Sequence, residues 1–186
     1  IAEDLAGKGK RVLFMVPSLA LMSQTVREWT KDTDTPIRAF AVCSDAHVGK
    51  RRKNSDDIAE IEIHDLAFPA TTDPAKVAEK AGADDPDRMT VIFSTYQSIV
   101  TLSGAQDAGL PAFDLIICAN VLSELDDPTT VLADLFDELA QDGSVCAIAP
   151  ADRNTAIQLR EIEREVEREV GANIYSPTVR LWPNEV

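Results

Sequence analysis

The stretch Phe113-Asp-Leu-Ile-Ile-Cys-Ala-Asn-Val-Leu-Ser-Glu-Leu125 (FDLIICANVLSEL) decides how this chain is read. Leu115 to Cys118 form an unbroken apolar run, which in a strand means burial on both faces, and such strands belong to parallel sheets covered by helices on each side. Asp127-Pro128 then supplies an N-cap followed by proline at the first helical position. Beyond it, Val131, Leu132, Leu135, Phe136 and Leu139 fall on one helical face that ends before Gly143. The spacing predicts strand 114–119, helix 127–141 and strand 144–149 as one βαβ unit with a right-handed crossover.

The same alternation runs outward in both directions. Arg11–Pro17 (RVLFMVP), Ile37–Cys43 (IRAFAVC), Met89–Thr95 (MTVIFST) and Ser144–Ala149 (SVCAIA) are the other strand candidates, separated by helical patterns. Leu19, Met22, Val26 and Trp29 make one stripe on a helix over 18–31. A short helix is expected near 74–82. A last helix over 153–170 turns Leu159, Ile162, Val166 and Val170 inward, and REIEREVERE is its solvated face. Residues 44–88 carry the basic cluster Lys50-Arg51-Arg52-Lys53, an acidic stretch to Asp65, and Pro69, Pro74 and Pro86, and read as a long surface insertion. The fold class expected is α/β: residues 1–186 as one domain, three-layered, with a mostly parallel, doubly wound, Rossmann-like sheet. A chain of 186 residues is long enough for this, burying roughly 70% of its unfolded surface.

Composition narrows the function. The net charge is −14, with −5 up to Cys118 and −9 beyond it, which opposes general attraction to nucleic-acid phosphates. Cys43, Cys118 and Cys146 are too few and too scattered for a disulfide framework or a metal knuckle and read as thiols of a reducing, cytoplasmic compartment. No apolar run approaches the roughly 20 residues that span a bilayer, so no membrane partner is expected. His47 and His64 have no ligand partners at metal spacing, and no metal site is expected. Lys50 to Lys53 are followed by Asp56, Asp57, Glu60 and Glu62, which neutralise them locally.

Three segments in order resemble motifs of the first RecA-like domain of superfamily 2 DEAD/DEAH-box helicases, in the branch related to restriction-enzyme translocases. RVLFMVPSLALMSQTVREW resembles motif Ia, VIFSTYQSI resembles motif Ib, and GLPAFDLIIC resembles the run into motif II; together they cover residues 1–118. The resemblance implies that Pro17, Ser18 and Gln24, with Thr95 and Gln97, approach a nucleic-acid backbone through hydroxyls and amide N–H groups at helix N-termini. It implies no ATP chemistry. Gly7-Lys8-Gly9-Lys10 lacks the spacing of a phosphate-binding loop, and Ile1 falls on the helix that would follow one. The magnesium-holding acid of motif II falls on Ala119, the water-orienting acid on Asn120 and the histidine on Leu122.

From FDLII onward, residues 113–186 also resemble the second half of a class I S-adenosylmethionine-dependent methyltransferase of the ribosomal-RNA-associated type. FDLIICANVLSEL stands for its fourth strand and loop, DPTTVLADLFDELAQDG for the next helix and SVCAIAP for the fifth strand. This resemblance implies that Asn120, Val121 and Glu124 lie beside the cofactor's methionine part, although the glycine-rich loop that holds S-adenosylmethionine has no counterpart in the chain. The expectation is a hybrid of the two families, natural or designed, with no catalytic residues, no metal and no bound cofactor. Its alternatives are a nucleic-acid-binding helicase fragment and an S-adenosylmethionine-binding domain. An exposed sheet edge would allow a homodimer.

Overall fold

The computed structural model describes residues 2–43, 71–120 and 125–148, together with Arg164 and Arg168, which lie exposed on a helix. The apolar runs become five strands: β1 (Arg11–Val16), β2 (Ile37–Val42), β3 (Met89–Thr95), β4 (Phe113–Ala119) and β5 (Leu139–Ile148). Between them lie α1 (Ala2–Leu5), α2 (Leu19–Asp32), α3 (Pro74–Ala81), α4 (Ile99–Asp107) and α5 (Pro128–Asp137). The strands form one sheet in the order β2-β3-β1-β4-β5. Every pairing is parallel.

The order fixes which helix covers which face. The connection from β1 to β2 passes over β3 in one direction, whereas those leading to β3, β4 and β5 run in the other. Right-handed crossovers in opposite directions lay their helices on opposite faces. Met22 and Val26 of α2 accordingly pack with Val12, Val16, Val91, Phe93, Leu115 and Ile117. On the other face Val77 of α3, Leu102 of α4 and Leu135 of α5 pack with Leu13, Met15, Ile92, Ile116 and Cys118. Alternate residues of β1, β3 and β4 thus serve two separate cores, as the two-residue period of a strand requires. Phe14, Trp29 and Phe93 add edge-on ring contacts on the α2 face, with Phe14 and Trp29 centroids 5.2 Å apart.

Polar groups fix the ends of α3. Asp73 caps its first turn by accepting from Ala75 N and Lys76 N, and Pro74 occupies the first helical position. Its last carbonyls receive two strand arginines: Arg38 donates to Lys80 O at 2.8 Å and Ala83 O at 3.1 Å, and Arg11 to Gly82 O at 3.3 Å. Cations suit a helix C-terminus, where carbonyls lack partners.

Four expectations change. Residues 74–81 are the crossover helix from β2 to β3, with Val77 and Ala81 in the core, so the surface insertion shrinks; residues 44–70 lie outside the described residues. α4 adds a helix that its small residues had hidden. α5 stops at Asp137, four residues early: Glu138 caps it with backbone still helical, and its carbonyl accepts from Phe113 N at 3.0 Å, drawing Leu139 into the sheet. β5 therefore starts early and shifts register, pairing Leu139 with Phe113 and then Ser144 with Leu115. It is half exposed, unlike a strand covered on both faces. The proposed helix over 153–170 lies outside the described residues except at Arg164 and Arg168, both helical and exposed. Among the described residues no helix is long and apolar enough to cross a membrane.

The β2 edge is partly closed, since Thr71 N donates to Ala41 O at 3.2 Å and bridges to Val42. Among the described residues, no strand pairs with the outer edge of β5. The register shift leaves no room at Gly143, where a Cβ would stand 2.8 Å from Phe113 O and 3.0 Å from Ala140 O. Gly143→Ala is expected to destabilise the fold by about 1–3 kcal/mol through this overpacking. Urea unfolding measures it, and an unchanged midpoint would mean that the bulge has slack.

Candidate functional site at the carboxyl edge of the sheet

In a doubly wound sheet, ligands bind outside the carboxyl ends of the strands where neighbouring connections depart in opposite directions. Here that switch point lies between β1, whose helix α2 covers one face, and β4, whose helix α5 covers the other. Met15, Ser94, Cys118 and Ala147 stand in one row across β1, β3, β4 and β5. The residues that follow them, Val16, Thr95, Ala119 and Ile148, end the strands. What comes next in each chain segment lines the edge.

After β1 come Pro17, half-buried, and Ser18, exposed. Ser18 has extended backbone and is the N-cap of α2, its Oγ accepting from Leu21 N at 3.3 Å. Gln24 lies farther along α2, exposed, and its Nε2 donates to Glu28 Oε1 at 2.9 Å. After β3, a 3-10 turn over Tyr96–Ser98 leads into α4. Gln97 is exposed in that turn. Thr95 is 4% exposed and its hydroxyl pairs with Ser98 Oγ at 3.2 Å. Thus Ser18 and Gln97 share the edge, Gln24 stands back from it, and Thr95 turns inward and ties down the 3-10 turn.

Asn120 follows β4 at the switch point. It is exposed, has a positive φ of 53°, and its N–H donates to Ile148 O at 2.7 Å. Asparagine tolerates this left-handed conformation better than most residues. Val121 and Glu124 lie outside the described residues. At the start of α5, Asp127 accepts from Thr130 N and Thr130 Oγ1. Those hydrogen bonds hold its carboxyl below the usual range.

Among the described residues, the edge offers a hydroxyl and amides rather than a reacting group. Burial pushes the Cys118 thiol up to about 12, so it stays protonated and inert. Cys43 is buried too, and Cys146 half-buried. Cys118 faces the core beneath α5 while Cys146 packs against the α2 core, so β4 and β5 hold the two thiols on opposite faces. Among the described residues no group of His, Cys, Asp and Glu could hold a metal ion. The structure brings the expected Ser18, Gln97 and Asn120 to this edge; the left-handed backbone of Asn120 had no signal in the sequence beyond an asparagine closing an apolar strand.

The fold is a three-layer α/β domain with an all-parallel sheet, consistent with RecA-like and Rossmann-like architecture. Solved structures of the same kind include a nuclease-deletion mutant of the Type ISP restriction-modification enzyme LlaGI in complex with a DNA substrate mimic. It is 28% identical with a TM-score of 0.57, over 75% of this chain and 11% of that one. The ATP-dependent Type ISP restriction-modification enzyme LlaBIII bound to DNA is also 28% identical, with a TM-score of 0.52, over 81% of this chain and 10% of that one. This chain spans about a tenth of each. No family model matches, and no curated protein matches. Residues 1–118 are less than two thirds of the 186, so both alignments extend past the strand where the sequence was expected to change family. Nothing in these comparisons supports the methyltransferase resemblance.

If Ser18 serves α2 as its cap, Ser18→Ala should lower stability by about 1 kcal/mol. Exposed Gln97→Ala should stay within about 0.5 kcal/mol of the parent. Paired denaturation curves decide this, and equal losses would refute the assignment of Gln97 as a free edge residue.

Proposed function

We propose that this chain is a helicase-type α/β domain that faces nucleic acid with the carboxyl edge of its sheet and does not itself hydrolyse ATP. The carrying observation is the end of β4. At the switch point, where a helicase-like site would place its acids, the chain has Ala119 and Asn120, which offer no carboxylate to hold magnesium or to orient an attacking water. Ser18 and Gln97 remain as neutral donors suited to backbone phosphates, which position a nucleic acid without reading its sequence. The two similar enzymes are described on DNA, which supports this choice of ligand. Thr95 has a structural role in this reading, and Gln24 touches the strand only at its margin.

A second reading rests on Asn120. Its exposed left-handed backbone at the switch point suits close approach by a small ligand such as S-adenosylmethionine.

Fluorescence anisotropy with a labelled single-stranded oligonucleotide at low salt tests the first reading. Binding is expected, and the double variant Ser18→Ala/Gln97→Ala should weaken it about tenfold, or ~1.4 kcal/mol. No binding at low salt, or full affinity in the double variant, overturns the assignment. Phosphate release from Mg-ATP should stay at background; turnover above it overturns the ATPase half. A thermal shift with S-adenosylhomocysteine that Asn120→Leu abolishes would favour the second reading.

A further inference from the structure

Glu138 joins α5 to β5 and places a titratable group in the joint itself. Its carbonyl accepts from Gln106 Nε2 of α4 and from Phe113 N of β4, both at 3.0 Å. The second of these bonds begins the β4–β5 ladder, since Leu139 pairs with Phe113 before the register shifts and Ser144 pairs with Leu115. The same residue is only 7% exposed, and its Oε2 has no hydrogen-bond partner. An ionised carboxylate here holds one oxygen out of water without compensation, whereas a protonated one loses far less on burial.

The neighbouring charges make ionisation harder. Asp107 ends α4, Asp134 and Asp137 stand in the last turn of α5, and neither helix has a basic residue in its last turn. All three aspartates are exposed. β4 contributes Asp114, which Lys10 and the Arg11 N–H already engage, and β5 contributes Asp142, whose charge acts on Lys10. Burial above all, then Asp137, Asp107 and Asp134, push the Glu138 carboxyl above its usual range, against an opposing hydrogen bond from Ser103. Water that hydrates the carboxylate also gains access to the carbonyl of the same residue, where it competes with Phe113 N and Gln106 Nε2. Protonation of the side chain and closure of the strand are therefore coupled within one residue, which makes a two-state element that one proton biases.

We propose that Glu138 is a pH-sensitive latch: protonated, it closes the joint of α4, α5 and β5, and ionised, it loosens the start of β5 from β4, with Asp107, Asp134 and Asp137 strengthening the response. The latch lies at the amino edge of the sheet, so it stands or falls independently of nucleic-acid binding at the other edge.

The sign follows from linkage. Because the folded carboxyl titrates above the unfolded one, the closed joint has its full advantage below the ordinary carboxylate range and loses it as pH rises through the folded value. Asp127, which Thr130 holds below its usual range, has the opposite sign, and its contribution is lost as pH falls below that range.

Hydrogen exchange of the full chain between about pH 5 and pH 8, corrected for intrinsic rates, tests this, because protection reads the opening equilibrium amide by amide. Protection of the Phe113 amide is expected to fall at least about threefold as pH rises, while the amides of β1 and β3 keep theirs. Glu138→Gln should abolish the fall. Asp107→Asn/Asp134→Asn/Asp137→Asn, which alters only exposed side chains and so leaves the core intact, should reduce it. A flat profile in the parent, or an undiminished fall in either variant, overturns the proposal. An equal fall throughout the sheet also overturns it, because that marks global unfolding rather than release of one joint.

Discussion

Everything in this domain depends on a parallel sheet having to be covered on both faces. Parallel strands need crossover connections, each crossover lays a helix on the sheet, and the hand of the crossover decides which face. Once β1 takes the middle position, α2 must go to one side and α3, α4 and α5 to the other. The strand sequences then lose any freedom to be amphipathic: every residue of β3 is buried, and β1 exposes part of Phe14 alone. Phe14 is itself covered edge-on by Trp29. The same constraint creates the switch point between β1 and β4, so the crevice where doubly wound sheets bind their ligands is here a by-product of how the core is closed.

A doubly covered sheet leaves its polar difficulties at the two ends of the strands. At the amino end, Arg11 and Arg38 resolve one of them by reaching the last carbonyls of α3. Arg38 also pairs with Asp85 at 3.7 Å, and Asp114 accepts from Arg11 N and Lys10 Nζ, each at 2.8 Å. This side of the amino edge is therefore neutralised group by group. A few strands away the ends of α4 and α5 have acids and no bases. The contrast within one edge separates a polar cluster that completes the fold from one that does not.

Most of the strands were legible because burial on both faces leaves a short continuous apolar run bounded by turn residues, although β5, half exposed, is the exception. Register, strand order and helix ends were not, because they depend on contacts distant in sequence. Leu139 continues the apolar stripe of α5 and reads as helix; only the bond from Phe113 to Glu138 moves it into β5. α4 escaped notice because Leu102 and Ala105 are too few to make a stripe. At the edge, the family resemblances pointed to Ser18, Thr95, Gln97 and Asn120 but gave no direction for their side chains. Thr95 belongs to a strand buried on both faces, so its hydroxyl had to find Ser98 rather than a ligand. The resemblance that split the chain at FDLII rested on a segment many doubly wound proteins share, since a central strand followed by a crossover helix imposes that pattern whatever the family.

The charge of the whole chain and the character of its two edges bear on one another. A net charge of −14 repels a phosphate polymer from most approaches, but the repulsion is uneven. Ser18, Gln97 and Asn120 are uncharged, and α2 and α4 begin at this edge, presenting unpaired N–H groups and the positive ends of their dipoles. The amino edge beneath α4 and α5 has the opposite polarity, with two carbonyl-rich helix ends and their aspartates. Because every helix of a parallel α/β sheet points the same way relative to the strands, the fold has one electropositive end and one electronegative end before any side chain is chosen. The side chains partly offset that division: Asp73 and Asp127 cap α3 and α5 at the electropositive end, and Arg11 and Arg38 meet the carbonyls that close α3 at the other, while Ser18, Gln97 and Asn120 stay uncharged. Such a domain would turn the same end toward any polyanion, so its negative charge acts on orientation as well as on affinity.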